Sequence, residues 1–276
     1  MLDRLDLPEL APYRTLRLQG EHFRGGIFVA EGEKVVRRLL AGGLEVRSVL
    51  LPPEHFEVLR GDLEARREVV DVFVAPRCLL EALTGFTIYQ GWLACARIPE
   101  PVSLEAAWGG AGSGGTGTAR FWVALDGLTN AENLGGVVRS AAAFGADVLL
   151  VGETSASPYL RRAVRSSMGE VFRLPVVRSE CLAASLGWLR ARGMCCVAAD
   201  AHVEGMLLPA ADLRGDCCVV LGHEGEGISG AVKAACDMRV AVPMARGVDS
   251  LNVGAAAAVF FYEVWRQRHP RAAGAA

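Results

Sequence analysis

From residue 121 onward, short apolar runs alternate with segments of helical spacing, and this alternation constrains the fold more than any other feature. The runs fall at 121–125, 148–151, 172–176, 194–198, 217–221 and 239–242. Each is four or five residues long and apolar nearly throughout, as expected of strands covered by helices on both faces. Helical patterns lie between them at 134–144, 159–167, 180–192 and 229–236, and a last helix is predicted from about 252 to 268. The pattern predicts a doubly wound α/β sheet. Ligands on such sheets bind beyond the carboxyl ends of the strands, so the loops that follow the strands carry the candidate chemistry.

Upstream, the stretch 109–118 reads GGAGSGGTGT and follows Pro99-Glu100-Pro101. Gly/Ser/Thr composition of this kind makes a flexible connector. The chain therefore divides into a domain over 1–100, a linker over 101–119 and a second domain over 120–270. The first part reads as a smaller α/β domain. Strands are predicted at 26–30, 46–51, 70–74 and 92–96, with helices at 33–40 and 78–83. In the first helix Val35, Val36, Leu39 and Leu40 share one face, and Lys34, Arg37 and Arg38 the other.

The formal charge is −2 over 276 residues, which does not by itself indicate a nucleic-acid partner. A basic cluster is nevertheless present. Arg161, Arg162, Arg165, Arg173 and Arg178 surround Ser166-Ser167-Met168-Gly169, opposed only by Glu170. A solvated helix face and a phosphate-contacting strip are both compatible with it. Neither an apolar leader after Met1-Leu2-Asp3-Arg4 nor a bilayer-length apolar run is present, so a cytoplasmic protein is expected. The eight cysteines include the adjacent pairs Cys195-Cys196 and Cys217-Cys218 but no C-x-x-C. Neighbours on a strand point to opposite faces, so these thiols read as small buried hydrophobes, and no metal is expected.

Three loops are polar enough to act on a ligand. The first follows 121–125 and contains Asn130, Asn133, Gly135 and Gly136, with Arg139 in the following helix. Asn133 is the expected N-cap of that helix. The second follows 217–221 and reads Gly222-His223-Glu224-Gly225-Glu226-Gly227. It has the glycines of a nucleotide loop, but a pyrophosphate requires bare amides and positive charge, and Glu224 and Glu226 would repel it. The same carboxylates tolerate a cationic sulfonium and accept from ribose hydroxyls. The third follows 239–242, running from Pro243-Met244 through Asp249-Ser250-Leu251-Asn252-Val253 to Gly254. Ser250 or Asn252 is expected to cap the last helix.

Taken together, these loops resemble the SpoU family of the SPOUT methyltransferases. Asn133 to Arg139 resembles the family's first motif and Leu221 to Gly227 its second. Val242-Pro243-Met244 with Asp249 to Val253 resembles its third, and Arg165 to Phe172 the run between the first two. The likeness covers about residues 120 to 268. Residues Glu31-Gly32-Glu33, Val35, Leu39 and Gln90-Gly91 carry a weaker likeness to the substrate-binding domain often attached to this family. The sequence departs from the family's usual residues at Asn130-Ala131, His223 and Gly254.

The resemblance implies a C-terminal knotted α/β SPOUT methyltransferase domain, a smaller N-terminal α/β substrate-binding domain and a homodimer. It implies S-adenosylmethionine as cofactor and a ribose 2′-hydroxyl of tRNA or rRNA as target. It places cofactor contacts at Leu221, Gly222, Glu224, Gly225, Val242, Pro243, Met244, Ser250, Leu251 and Val253. Catalytic roles fall to Asn133, Arg139, Glu224, Ser250 and Asn252, and RNA contacts are expected from Arg161, Arg162 and Arg165. Arg139 is then the group that activates the 2′-hydroxyl, oriented by Glu224. A guanidinium holds its proton above a pKa of about 12. Either the site depresses that value strongly, or Arg139 stabilises a developing alkoxide while a phosphate oxygen takes the proton. Two readings from other classes are a non-catalytic RNA-binding protein on the same fold and a nicotinamide-dependent oxidoreductase. The second lacks a G-x-G-x-x-G opening the first helix.

Overall fold

In the computed structural model, which describes residues 6–85, 91–110, 119–201 and 206–270, the apolar runs of the second half form one parallel sheet. Its strands are β5 (Phe121–Asp126), β6 (Val148–Val151), β7 (Val176–Arg178), β8 (Cys195–Ala199), β9 (Met206–Leu207), β10 (Cys217–Gly222) and β11 (Met238–Ala241). Their order is β7-β6-β5-β10-β8-β11-β9, and every pairing is parallel. The β5, β6 and β10 side chains are buried on both faces, apart from Gly222. The covering helices in this part are α6 (Leu104–Gly110), α7 (Ala131–Ala143), α9 (Leu182–Arg190), α10 (Gly230–Ala234) and α11 (Val253–Arg268). Trp122, Leu150, Leu186, Leu189, Val220 and Val232 belong to one buried cluster between sheet and helices.

The other part of the molecule has α1 (Ala11–Arg14), α2 (Gln19–Arg24), β1 (Ile27–Glu31), α3 (Glu33–Ala41), β2 (Val46–Leu51), α4 (Pro53–Glu64), β3 (Asp71–Val74), α5 (Arg77–Thr84) and β4 (Leu93–Arg97). Its sheet order is β1-β4-β2-β3, with β4 antiparallel to both neighbours and β3 parallel to β2. Val35, Val36, Leu39 and Leu40 of α3 are buried, as their spacing predicts. By contacts, the chain forms two compact units. One is Met1–Glu100 with Pro158–Arg173, the other Pro101–Ser157 with Leu174–Ala276. The helix α8 (Arg161–Ser166) thus belongs to the first unit, although its sequence lies between strands of the second. Phe28 of β1 lies 5.5 Å from the Tyr159 ring and 5.6 Å from that of Phe172.

Four expectations need correction. The stretch 101–119 is not all linker: α6 occupies Leu104–Gly110, with Ala107 buried in the sheet's core cluster. Trp108 meets Trp122 and Trp188 edge-on, and the Arg120 guanidinium lies 4.1 Å above its ring. Those aromatic contacts outweigh the low helix propensity of Gly109 and Gly110. The remainder of the glycine run (111–118), Gln90 and the opening residues 1–5 lie outside the described residues. The strand expected at 172–176 is displaced. Gly169, at φ +78, opens a 3-10 turn over Glu170–Phe172, and β7 starts only after Pro175. A Cβ on Gly169 would stand 2.9 Å from the Phe172 ring. Helices α1, α2 and α4 were not expected, because their apolar positions are too sparse to show a period. The thiols are not uniformly buried either: Cys78 and Cys181 are exposed.

Candidate active site

A further correction is at the start of α7. The helix begins at Ala131, three residues earlier than expected, and its cap is Asn130, not Asn133. Asn130 Oδ1 accepts from the backbone N–H groups of Glu132 (2.9 Å) and Asn133 (3.1 Å). With that role filled, the Asn133 side chain is free to act elsewhere. Its Nδ2 donates to Glu224 Oε1 at 2.6 Å, and its Oδ1 accepts from Asn252 Nδ2 at 3.1 Å. Asn252 caps α11, accepting the Gly254 N–H at 2.9 Å. One side chain from each of the three polar loops therefore enters a single hydrogen-bonded row.

Beside Glu224, a pocket opens at the carboxyl ends of β8, β10 and β11. Of the residues expected to hold a cofactor, Leu221, Gly222, Glu224, Gly225, Val242, Met244, Ser250, Leu251 and Val253 line it; Pro243 does not. Asn133, Arg139 and Asn252 also lie outside the lining. Sequence reasoning missed the share contributed by Asp200, Lys233 and Phe260. The loop after β8 follows the same strand-end rule as the others and could have been found by it.

The pocket loop is shaped by backbone approach. A Cβ on Gly222 would stand 2.3 Å from the Gly227 carbonyl carbon and 2.4 Å from Ile228 N, so only glycine fits. Asp126, buried at the end of β5, accepts the Ser229 N–H at 2.6 Å and so ties the exit of this loop to the neighbouring strand.

The carboxylates here differ in kind. Asp200 is buried and neutralised, with Lys233 Nζ at 3.2 Å and Arg239 Nη2 at 2.8 Å. Glu224 and Glu226 are exposed in the pocket loop, and neither forms an ion pair among the described residues. The pocket thus presents uncompensated negative charge beside the apolar side chains of Leu221, Met244, Leu251 and Phe260. That donor set suits a ligand with an apolar body and a positive charge, and it disfavours a polyphosphate.

Arg139 is exposed on α7, and no hydrogen bond or ion pair joins it to Glu224 among the described residues. The carboxylate expected to orient Arg139 is instead bonded to Asn133. Arg161 is largely buried and bonded to Glu31. Arg165 reaches the same carboxylate at 3.3 Å while half-exposed, and Arg162 is exposed.

A parallel sheet whose strand-end loops enclose an acidic, partly apolar pocket defines an α/β protein built to hold a small cationic ligand. The comparisons narrow the class. Residues 120–262 match the model of the SpoU rRNA Methylase family, and the chain belongs to that family. It is 33% identical over 247 residues to an uncharacterized tRNA/rRNA methyltransferase of Mycobacterium bovis, a span that covers 88% of this chain and 82% of that protein. Among solved structures, the SpoU methyltransferase AviRb from Streptomyces viridochromogenes superposes with a TM-score of 0.81 at 26% identity, covering 96% of this chain and 98% of AviRb. AviRb in complex with the cofactor AdoMet superposes with a TM-score of 0.78 at 25% identity, covering 95% and 98%. An RNA 2′-O ribose methyltransferase superposes with a TM-score of 0.73 at 28% identity, covering 96% and 98%.

Proposed function

We propose that the protein transfers a methyl group from S-adenosylmethionine to a ribose 2′-hydroxyl of tRNA or rRNA. The observation that carries this reading is the row Glu224–Asn133–Asn252, which joins the three polar loops beside an acidic pocket. Glu224 and Glu226 favour a sulfonium over a phosphate, and Leu221, Met244, Leu251 and Phe260 offer apolar surface to a nucleoside. When bound, the cofactor supplies an electrophilic methyl on a positively charged sulfur. AviRb, a relative of similar fold, binds AdoMet, and a second relative is a ribose methyltransferase, which supports both parts of the reading.

The chain's own residues then have to fix the ribose and raise the nucleophilicity of its oxygen. Asn133 and Asn252 hold the loops in register. Arg139 is exposed and has no ion-pair partner among the described residues, so its guanidinium is available to an RNA phosphate and to oxygen charge as it develops. Ser250, at the pocket wall, supplies a further hydroxyl. The first unit, with Arg162 and Arg165, serves as the RNA-holding part. The strand-end loops after β10 and β11 are the segments of the family's trefoil knot. A second copy is proposed to pack against α11, where the side chains of Val259 and Tyr262 are exposed.

The test is single-turnover methyl transfer from labelled S-adenosylmethionine to RNA, with the product mapped for 2′-O-methylation. Arg139→Ala is expected to abolish transfer while cofactor binding stays within about twofold. Base methylation, or full turnover in Arg139→Ala, would refute the reading.

A further inference from the structure

His223 directly follows Gly222 in β10 and opens a five-residue loop that closes on itself. Its N–H donates to Gly227 O at 3.0 Å, and the Gly227 N–H donates back to His223 O at 2.9 Å. Inside the loop, the imidazole Nδ1 accepts two backbone N–H groups, from Gly225 at 3.0 Å and from Glu226 at 3.2 Å. The pattern, one side-chain acceptor taking the amides two and three residues on, is the one Asn130 makes with Glu132 and Asn133. At Asn130 the acceptor is a carboxamide oxygen, which accepts at any pH. An imidazole nitrogen accepts only while it carries no proton. The two loop amides therefore select the neutral ring with its proton on Nε2.

The selection bears on the pocket, because His223, Glu224, Gly225, Glu226 and Gly227 all line it. A protonated Nδ1 would face two N–H donors and forfeit both bonds, releasing the exposed Gly225 and Glu226 amides to solvent. The charged groups that line the pocket with His223 are Glu224 and Glu226 of its own loop, Asp200 after β8 and Lys233 of α10. Asp126 of β5 reaches the same region through Ser229.

We propose that His223 is a positioning residue whose proton-free Nδ1 sets the cofactor-facing wall of the pocket, so that S-adenosylmethionine affinity follows the protonation of this ring. The inference rests on the pocket being the cofactor site. Acidification takes His223 out of the turn, loosens Glu224–Glu226 and weakens binding. Asparagine in its place offers Oδ1 to the same two amides and removes the proton sensitivity.

Calorimetric titration of the full chain with S-adenosylmethionine from pH 8 to pH 5.5 tests this. Wild-type affinity is expected to fall toward the acid end of that span. His223→Asn is expected to show a much flatter profile. His223→Ala, which has no acceptor, should bind weakly at every pH, and Asn should recover most of what Ala loses. Parallel pH profiles for wild type and His223→Asn, or wild-type affinity in His223→Ala at pH 8, would overturn the inference. Absence of binding at every pH in every form would sink the cofactor reading instead. The loop inference would then be read from the imidazole ¹⁵N shifts of the free protein. Proton-free Nδ1 with protonated Nε2 supports it, and an Nδ1–H tautomer overturns it.

Discussion

Asn252 Nδ2 donates to Asn133 Oδ1 at 3.1 Å, so the cap of α11 is bonded to the first turn of α7, 119 residues away in sequence. The row continues through Asn133 Nδ2 to Glu224 Oε1 and begins at the Gly254 N–H on Asn252 Oδ1. Each link has one donor and one acceptor. The backbone amide at one end and the carboxylate at the other therefore fix the orientation of both carboxamides. Reversing either one would leave two donors or two acceptors facing each other.

This polarity predicts an order of effects at Asn133. Asn133→Ala removes two exposed hydrogen bonds and should change folding stability by no more than about 1 kcal/mol. Asn133→Asp keeps an acceptor for Asn252 but turns a second carboxylate toward Glu224. Aspartate should therefore cost more methyl transfer than alanine, by at least about tenfold, or 1.4 kcal/mol. Single-turnover rates for the two variants, at saturating cofactor and RNA, decide it. Equal rates would mean that the row is packing and not alignment.

The sheet could be read from the sequence because strands buried on both faces leave continuous apolar runs, and those of β5, β6 and β10 are unbroken. The pocket loops were legible for a related reason, since glycine and acid together follow such strands. Local competition was harder to see. Asn130 and Asn133 are equally good caps by residue type, and only the Glu224 contact from 91 residues away decides which one caps. Helix α6 is concealed by its glycines, and its support, the Trp108, Trp122 and Trp188 cluster, comes from distant segments. The burial of Arg161 against Glu31 was likewise beyond reach, because 130 residues separate the two. A basic run is the same string of letters whether its partner is RNA or a buried glutamate.

Acid should weaken the first unit at an identifiable site. Arg66 is largely buried and donates to the carbonyl oxygens of Leu40 (2.7 Å), Gly42 (2.6 Å) and Leu44 (2.5 Å), as well as to Glu68. That guanidinium, with help from the Val46 N–H at 3.0 Å, holds the Glu68 carboxyl at about 2. A carboxyl whose value is lower in the folded than in the unfolded chain stabilises the fold above the unfolded value and loses that contribution as pH falls through the folded one. The difference in unfolding free energy between wild type and Glu68→Gln should therefore be fully present at pH 7. It should shrink from about pH 4 downward and vanish near pH 2, as read by urea unfolding at several pH values. Arg66→Ala removes the side-chain donor to three carbonyls, leaves the Glu68 carboxylate with the Val46 N–H alone, and should cost about 3 kcal/mol at pH 7. A Glu68→Gln difference that does not vary with pH would mean that the pair contributes packing alone.

The arginines of α8 should separate into two kinds on substitution. Arg161 is 13% exposed and meets a Glu31 carboxylate that is 3% exposed, whereas the Arg165 side chain is 54% exposed and only grazes the same group. Removing Arg161 leaves a buried carboxylate with its weaker partner alone, so Arg161→Ala should lower stability by about 3 kcal/mol. Loss of RNA binding in that variant has to be read against its loss of stability. Arg162 stands exposed on the same helix and forms no ion pair among the described residues. Arg162→Ala should leave the unfolding midpoint unchanged. If its guanidinium meets a phosphate, the variant should also lower the slope of log affinity against log salt by about 0.7 for a single-stranded contact. Arg165→Ala should show a smaller stability loss than Arg161→Ala together with the same slope change. Filter binding of unfractionated tRNA and of rRNA transcripts between 50 and about 300 mM salt, run beside urea unfolding of each variant, separates the two effects. A slope unchanged in both Arg162→Ala and Arg165→Ala would make α8 a solvated face and remove it from the proposed RNA contacts.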